Sequence, residues 1–166
     1  MAVALRSFPW TWAQVISWLG RLNISPLRRF WISPTSNRSG SRPITVSQQI
    51  AEKVHALTRP YATGGSSRVK DAVDILLLAG QSHLRKEDLF RALVVTFDVR
   101  RTHPLPVCFP DLPKDWQRSL REEAERTGLV GITLEEADQR LKAFLDPVLD
   151  RRSRRSTWNP VRWEWD

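Results

Sequence analysis

The chain is 166 residues long, 41% hydrophobic and 27% charged, with a formal net charge of +8, which excludes a wholly disordered protein and allows one domain with a real core. A single cysteine, Cys108, excludes a disulfide framework and a cysteine-cluster metal site and points to a reducing cytosol. The basic excess is uneven: residues 1–51 hold Arg6, Arg21, Arg28, Arg29, Arg38 and Arg42 with no carboxylate, so overall charge does not mark the chain as a nucleic-acid binder.

Residues 1–41 form an arm rich in Trp, Arg, Ser and Pro, expected to be irregular and poorly ordered. Its composition resembles an organellar transit peptide. An apolar face from Trp12 to Leu22 lasts only about three turns before Pro26 and Pro34 break it, too short for a sustained surface helix, and a membrane span needs about 20 apolar residues. The favoured expectation is that the arm is foreign to the domain behind it, the translation of a truncated or frame-shifted gene. The domain itself is expected over residues 42–166.

From Thr45 onward the pattern predicts a helical bundle. Thr45 and Gln48 have capping-box spacing, and Val46, Ile50, Val54 and Leu57 recur at helical intervals. Ala62 to Ser67 reads as a connector, with Ser67 capping a second helix from Arg68 to Ala79 and Gly80 stopping it. A third helix, from about Arg85 to Asp98, should bury Leu89, Leu93, Val94 and Phe97. Pro104 to Pro113 must be an extended loop, and its length implies that it packs across the domain. A fourth helix runs from Lys114 to Thr127, stopped by Gly128. The fifth opens with the box Thr133 to Glu136 and carries Leu134, Ala137, Leu141, Phe144, Leu145 and Val148. The fold class is therefore mainly α.

Two charged clusters stand out because no apolar stripe requires them: Lys53 on the first helix, and Arg68, Lys70, Asp71 and Asp74 at the start of the second. Arg68 and Lys70 lie where free backbone N–H groups and the helix dipole favour an anion, so a phosphate cradle is one reading. The ordinary alternative is a solvated Lys53 and a surface pair between Lys70 and Asp74, four residues apart. Arg100 and Arg101 are a possible RNA or partner contact, or an exposed pair beside Asp98. Arg151, Arg152, Arg154 and Arg155 form a basic tract that with Trp158, Trp163 and Trp165 could bind single-stranded RNA. More commonly such tryptophans tuck back onto the domain, with Asn159-Pro160 as the turn. His55, His83 and His103 are scattered without ligand spacing, which argues against a metal or catalytic role; His103 could order the loop.

Q-x-x-x-K within Gln49 to Lys53, then R-x-K-D-x-x-D from Arg68 to Asp74, continue into Ala92 to Pro106, Phe144 to Leu149 and Trp158-Asn159-Pro160. In that order and spacing they resemble the second half of the AbiEii/AbiGii-type nucleotidyltransferase toxins of abortive-infection and toxin–antitoxin systems, in the polymerase-beta-like superfamily. The resemblance implies a bacterial cytoplasmic protein with an antitoxin partner, and transfer of a nucleotidyl group from a nucleoside triphosphate, with magnesium, onto an RNA or protein acceptor. It also implies that Lys53, Arg68 and Lys70 approach the phosphates, with Asp71 and Asp74 orienting them or pairing with Lys53.

Similar proteins carry a Gly-rich turn, a D-x-D pair and a third carboxylate that hold the metal. This sequence has no D-x-D and no acidic residue before Glu52. The expectation is thus a helical portion that holds part of the triphosphate pocket, builds no metal site and is inert by itself. The alternative is a non-enzymatic helical module that binds RNA or a protein partner; an organellar subunit is a third reading.

Overall fold

A computed structural model describes residues 44–60, 66–150 and 156–166, and all of them fall within one compact unit. The expectations for residues 1–41, for the connector at 61–65 and for the tract at 151–155 lie outside these residues. The architecture is mainly helical, as the sequence pattern predicts.

Helix α1 spans Val46–Thr58. Thr45 caps it in extended conformation, its Oγ1 accepting from Gln48 N at 3.2 Å, and Ile50, Ala51 and Val54 form a fully buried stripe. Helix α2 spans Ser66–Gln81, one turn of it contributed by residues the sequence assigns elsewhere. Ser67 is inside this helix, not its cap, and the helix runs through Gly80 instead of stopping there. A helical glycine costs only about 1 kcal/mol, and burial of Val69, Ala72, Val73, Ile75, Leu76 and Ala79 outweighs it.

Strand β1, Leu84–Arg85, leads directly into helix α3, Lys86–Arg100. Here the expected core needs a correction: Val94 is 41% exposed, while Thr96 is buried with Leu89, Leu93 and Phe97. Positions 89, 93, 96 and 97 are spaced by four, three and one, a single helical face, and Val94 falls about 100° round from Leu93. The Thr96 hydroxyl is satisfied by Gln48 Nε2 of α1 at 3.1 Å. Arg101 ends α3 in the left-handed conformation (φ 46°), its N–H bonding to Phe97 O.

The loop over 101–113 contains no regular element and is held by buried Phe109 and Leu112. Two aspartates accept its backbone donors, Phe109 N to Asp146 Oδ1 at 2.6 Å and Leu112 N to Asp138 Oδ1 at 2.8 Å. It packs across the domain as its length implies. A 3-10 turn at Lys114–Trp116 precedes helix α4, Gln117–Thr127. Gly128, at φ 88°, closes α4 with a left-handed cap that an L side chain rarely adopts. Helix α5, Leu134–Leu149, begins with a complete capping box between Thr133 and Glu136 and buries Ala137, Leu141, Phe144, Leu145 and Val148.

Strands β2, Thr157–Asn159, and β3, Glu164–Trp165, complete a small antiparallel sheet in the order β1-β2-β3. Its register pairs Leu84 with Trp158 and Trp158 with Trp165. Asn159 Oδ1 accepts from Val161 N and Arg162 N and turns the chain at Pro160. Trp158 is fully buried, donates Nε1–H to Ala79 O of α2 at 2.7 Å and meets Phe144 of α5 edge-on at 4.7 Å. The C-terminal tryptophans do tuck back, and they join α2 to α5. In the bundle α1 packs on α2 and α3, and α2 also packs on α4 and α5.

Candidate functional site

The α1–α2 interface is apolar along one edge and charged along the other. Lys53 lies off the Ile50–Val54 stripe, on the flank of α1 that faces α2. Its Nζ is 2.5 Å from Asp74 Oδ2 and 3.6 Å from Asp71 Oδ1. Asp71 is three residues before Asp74 and so shares its helix face. One turn earlier on the same side, Arg68 Nη1 donates to Asp71 Oδ2 at 3.1 Å.

The result is a continuous ladder, Arg68–Asp71–Lys53–Asp74, built from residues that the chain separates by a helix end and a connector. The four side chains are between 16% and 23% exposed. They are desolvated enough for charge interactions to exceed those of a surface pair, but still open on one side. Lys70 projects into solvent beside the ladder. Asp74 takes Lys53 as its ion-pair partner. Three cations against two carboxylates leave the face positive, at the first turns of α2 where the helix dipole adds to that potential.

The other basic candidates are placed differently. Arg100 Nη2 lies 3.8 Å from Glu52 Oε2, and Arg101 Nη2 lies 3.9 Å from Asp98 Oδ1, all four on open surface. Arg151, Arg152, Arg154 and Arg155 lie outside the described residues.

The histidines need a correction. His55 and His103, 48 residues apart in sequence, are neighbours in space, with ring centroids 4.7 Å apart and Phe97 against both. His103 hydrogen-bonds Thr58 of α1 and so does order its loop. A signal existed for His55: it follows Ala51 by four residues, which puts it on the buried face of α1. Among the described residues no three His, Cys, Asp or Glu side chains converge as a metal site, and no helix is long and apolar enough to cross a membrane.

A model of the family described as nucleotidyl transferase AbiEii toxin, type IV TA system, matches residues 43–162. No curated protein and no solved structure matches the chain.

Proposed function

The chain belongs to the AbiEii nucleotidyl transferase toxin family of type IV toxin–antitoxin systems, and from that premise we propose that the α1–α2 ladder is the side of the nucleotide site that meets the triphosphate. The supporting observation is that Lys53 and Arg68 share one carboxylate, Asp71, at 3.6 and 3.1 Å. Two cations from different helices are thereby brought to one face, with Lys70 beside them.

In this reading Lys53 supplies a compact ammonium that neutralises charge developing on the leaving phosphates. Arg68 offers a planar fork of donors, and Lys70 with the N-terminal turns of α2 adds field. Asp71 and Asp74 are positioning residues that hold Lys53 and Arg68 in reach of the phosphates and touch no reacting atom themselves. The set fits phosphate oxygens. It does not fit magnesium, because each aspartate already faces a cation, so no step is assigned to a metal held here. We further propose an antitoxin as partner, an RNA acceptor and a cytoplasmic setting, in keeping with the toxin–antitoxin family.

The test is an NMR titration of the full chain with a nucleoside triphosphate. The amides of Ser66 to Lys70 should shift first, salt should weaken the effect, and Lys53→Ala should reduce it. Shifts centred on Arg151 to Arg155 would overturn the assignment in favour of an RNA-binding module.

A further inference from the structure

A second cluster lies on the opposite side of α1, between that helix, the end of α3 and the turn that follows it. His55 Nε2 and Thr102 Oγ1 are 2.8 Å apart, Thr102 Oγ1 and His103 Nδ1 are 3.0 Å apart, and His103 Nε2 and Thr58 Oγ1 are 2.9 Å apart. The chain ends where Thr58 Oγ1 donates to Val54 O at 2.9 Å.

That last bond fixes the direction of all the others. The Thr58 proton is committed to Val54 O, so Thr58 Oγ1 accepts from His103 Nε2–H. His103 Nδ1 is then a lone pair in the neutral ring, and the Thr102 hydroxyl donates to it. Thr102 Oγ1 in turn accepts from His55 Nε2–H. Every donor meets an acceptor when both imidazoles are neutral and carry their proton on Nε2.

A proton added to His103 goes to Nδ1, and Thr102 Oγ1, then facing an N–H from each imidazole, must turn its own hydrogen out of the chain and lose that acceptor. The surroundings oppose the added charge as well. Phe97 of α3 lies edge-on to both rings, at 4.9 Å from His55 and 5.0 Å from His103. Arg59, just past the end of α1, acts on both imidazoles and Arg100 of α3 on His55. Glu52 is engaged with Arg100, and on the α2 side Asp71 and Asp74 are engaged with Lys53.

We propose that His55, Thr102, His103 and Thr58 form a proton-operated latch that holds the turn after α3 against α1 while both imidazoles are neutral and lets it go when they are protonated. The turn carries Arg101, and Arg100 precedes it, so opening the latch moves two exposed guanidinium groups and loosens the entry to the proline-rich loop. The latch is independent of the triphosphate reading, since none of its four residues belongs to the Lys53–Asp74 ladder. Desolvation lowers both imidazole pKa values, and for His55 the neighbouring His103 adds to it.

The experiment is a pH titration of the full chain followed by imidazole and amide NMR. His55 and His103 should titrate below the ordinary 6.5, show the Nε2–H tautomer when neutral, and carry the amides of Arg101 to Leu105 with them. Thr102→Val keeps the shape and removes the bridge. It should detach the amide shifts of the turn from the imidazole titration, with unchanged helical circular dichroism. If the variant does not fold, the wild-type titration decides alone. Imidazoles that titrate at or above the ordinary 6.5, or turn amides that stay still while they titrate, would overturn the latch.

Discussion

Lys53 of α1 and Asp74 of α2 meet with Nζ 2.5 Å from Oδ2, both side chains less than one fifth exposed, and this contact ties the stability of the α1–α2 pair to its charge. Lys53→Met should destabilise the domain by about 1–3 kcal/mol, because it leaves two carboxylates without their shared cation in a partly dry setting. Asp74→Leu added to that variant should recover a large part of the loss, since it removes the stranded charge. A double-mutant cycle by chemical denaturation measures the coupling. Additive costs would show that the contact contributes nothing to folding. Triphosphate binding, by contrast, should stay weak in both variants, because neither restores the ammonium.

Trp158 should be the most damaging single truncation in the C-terminal segment. It is fully buried against Phe144, and its Nε1–H satisfies Ala79 O. Trp158→Ala should cost about 3–5 kcal/mol, typical of a large aromatic removed from a core. Trp158→Phe should cost less but still leave the Ala79 carbonyl without its donor, a penalty of about 1–3 kcal/mol. Thermal melts of the two variants give the ranking, and a mild effect of the alanine variant would remove the sheet from the list of stabilising elements.

These two sites show what a single sequence makes visible. Thr45, Gly128 and the Thr133–Glu136 box act within one turn of their own helix, so their chemistry is local and reads directly. Val94 misled because an apolar residue one step from Leu93 looks equally core-like, and the buried place at Thr96 is settled only by its partner Gln48 on another helix. The β1-β2-β3 sheet could not be read: strands of two and three residues are too short for alternation to register, and Leu84 pairs with a residue 74 positions later. At the site, the residue types were legible in Lys53, Arg68, Asp71 and Asp74. Their pairing was not, because it depends on how α1 lies against α2. His55 and His103 were missed for the same reason.

The proline-rich loop should depend on Asp146 more than on its own prolines. Asp146 Oδ1 accepts from Phe109 N at 2.6 Å, a charge-assisted bond that places Phe109 in the core. Asp146→Ala should cost about 1–2 kcal/mol and speed the exchange of the Phe109 amide, while Asp111→Ala, which only removes an exposed partner of Lys142, should be close to neutral. Hydrogen exchange resolved by residue separates them. Unchanged protection at Phe109 in the Asp146 variant would mean that apolar packing alone holds the loop.

Stability should fall as the pH drops below the range of an unfolded histidine, and the sign follows from the two buried imidazoles. Both have folded-state pKa values below the ordinary 6.5, lowered chiefly by burial. Above that pH neither the folded nor the unfolded chain binds these protons, so the histidines contribute no slope. Below it the unfolded chain takes them up first, and the equilibrium shifts towards unfolding until the folded-state values are passed. The thermal midpoint should therefore decline between about pH 7 and pH 5 by several degrees, before carboxylates begin to titrate. His55→Gln with His103→Gln removes both titrating groups and should flatten that decline, whatever the double variant costs at neutral pH. A wild-type midpoint that stays level across this window would show that both imidazoles accept protons in place, with the turn after α3 still closed.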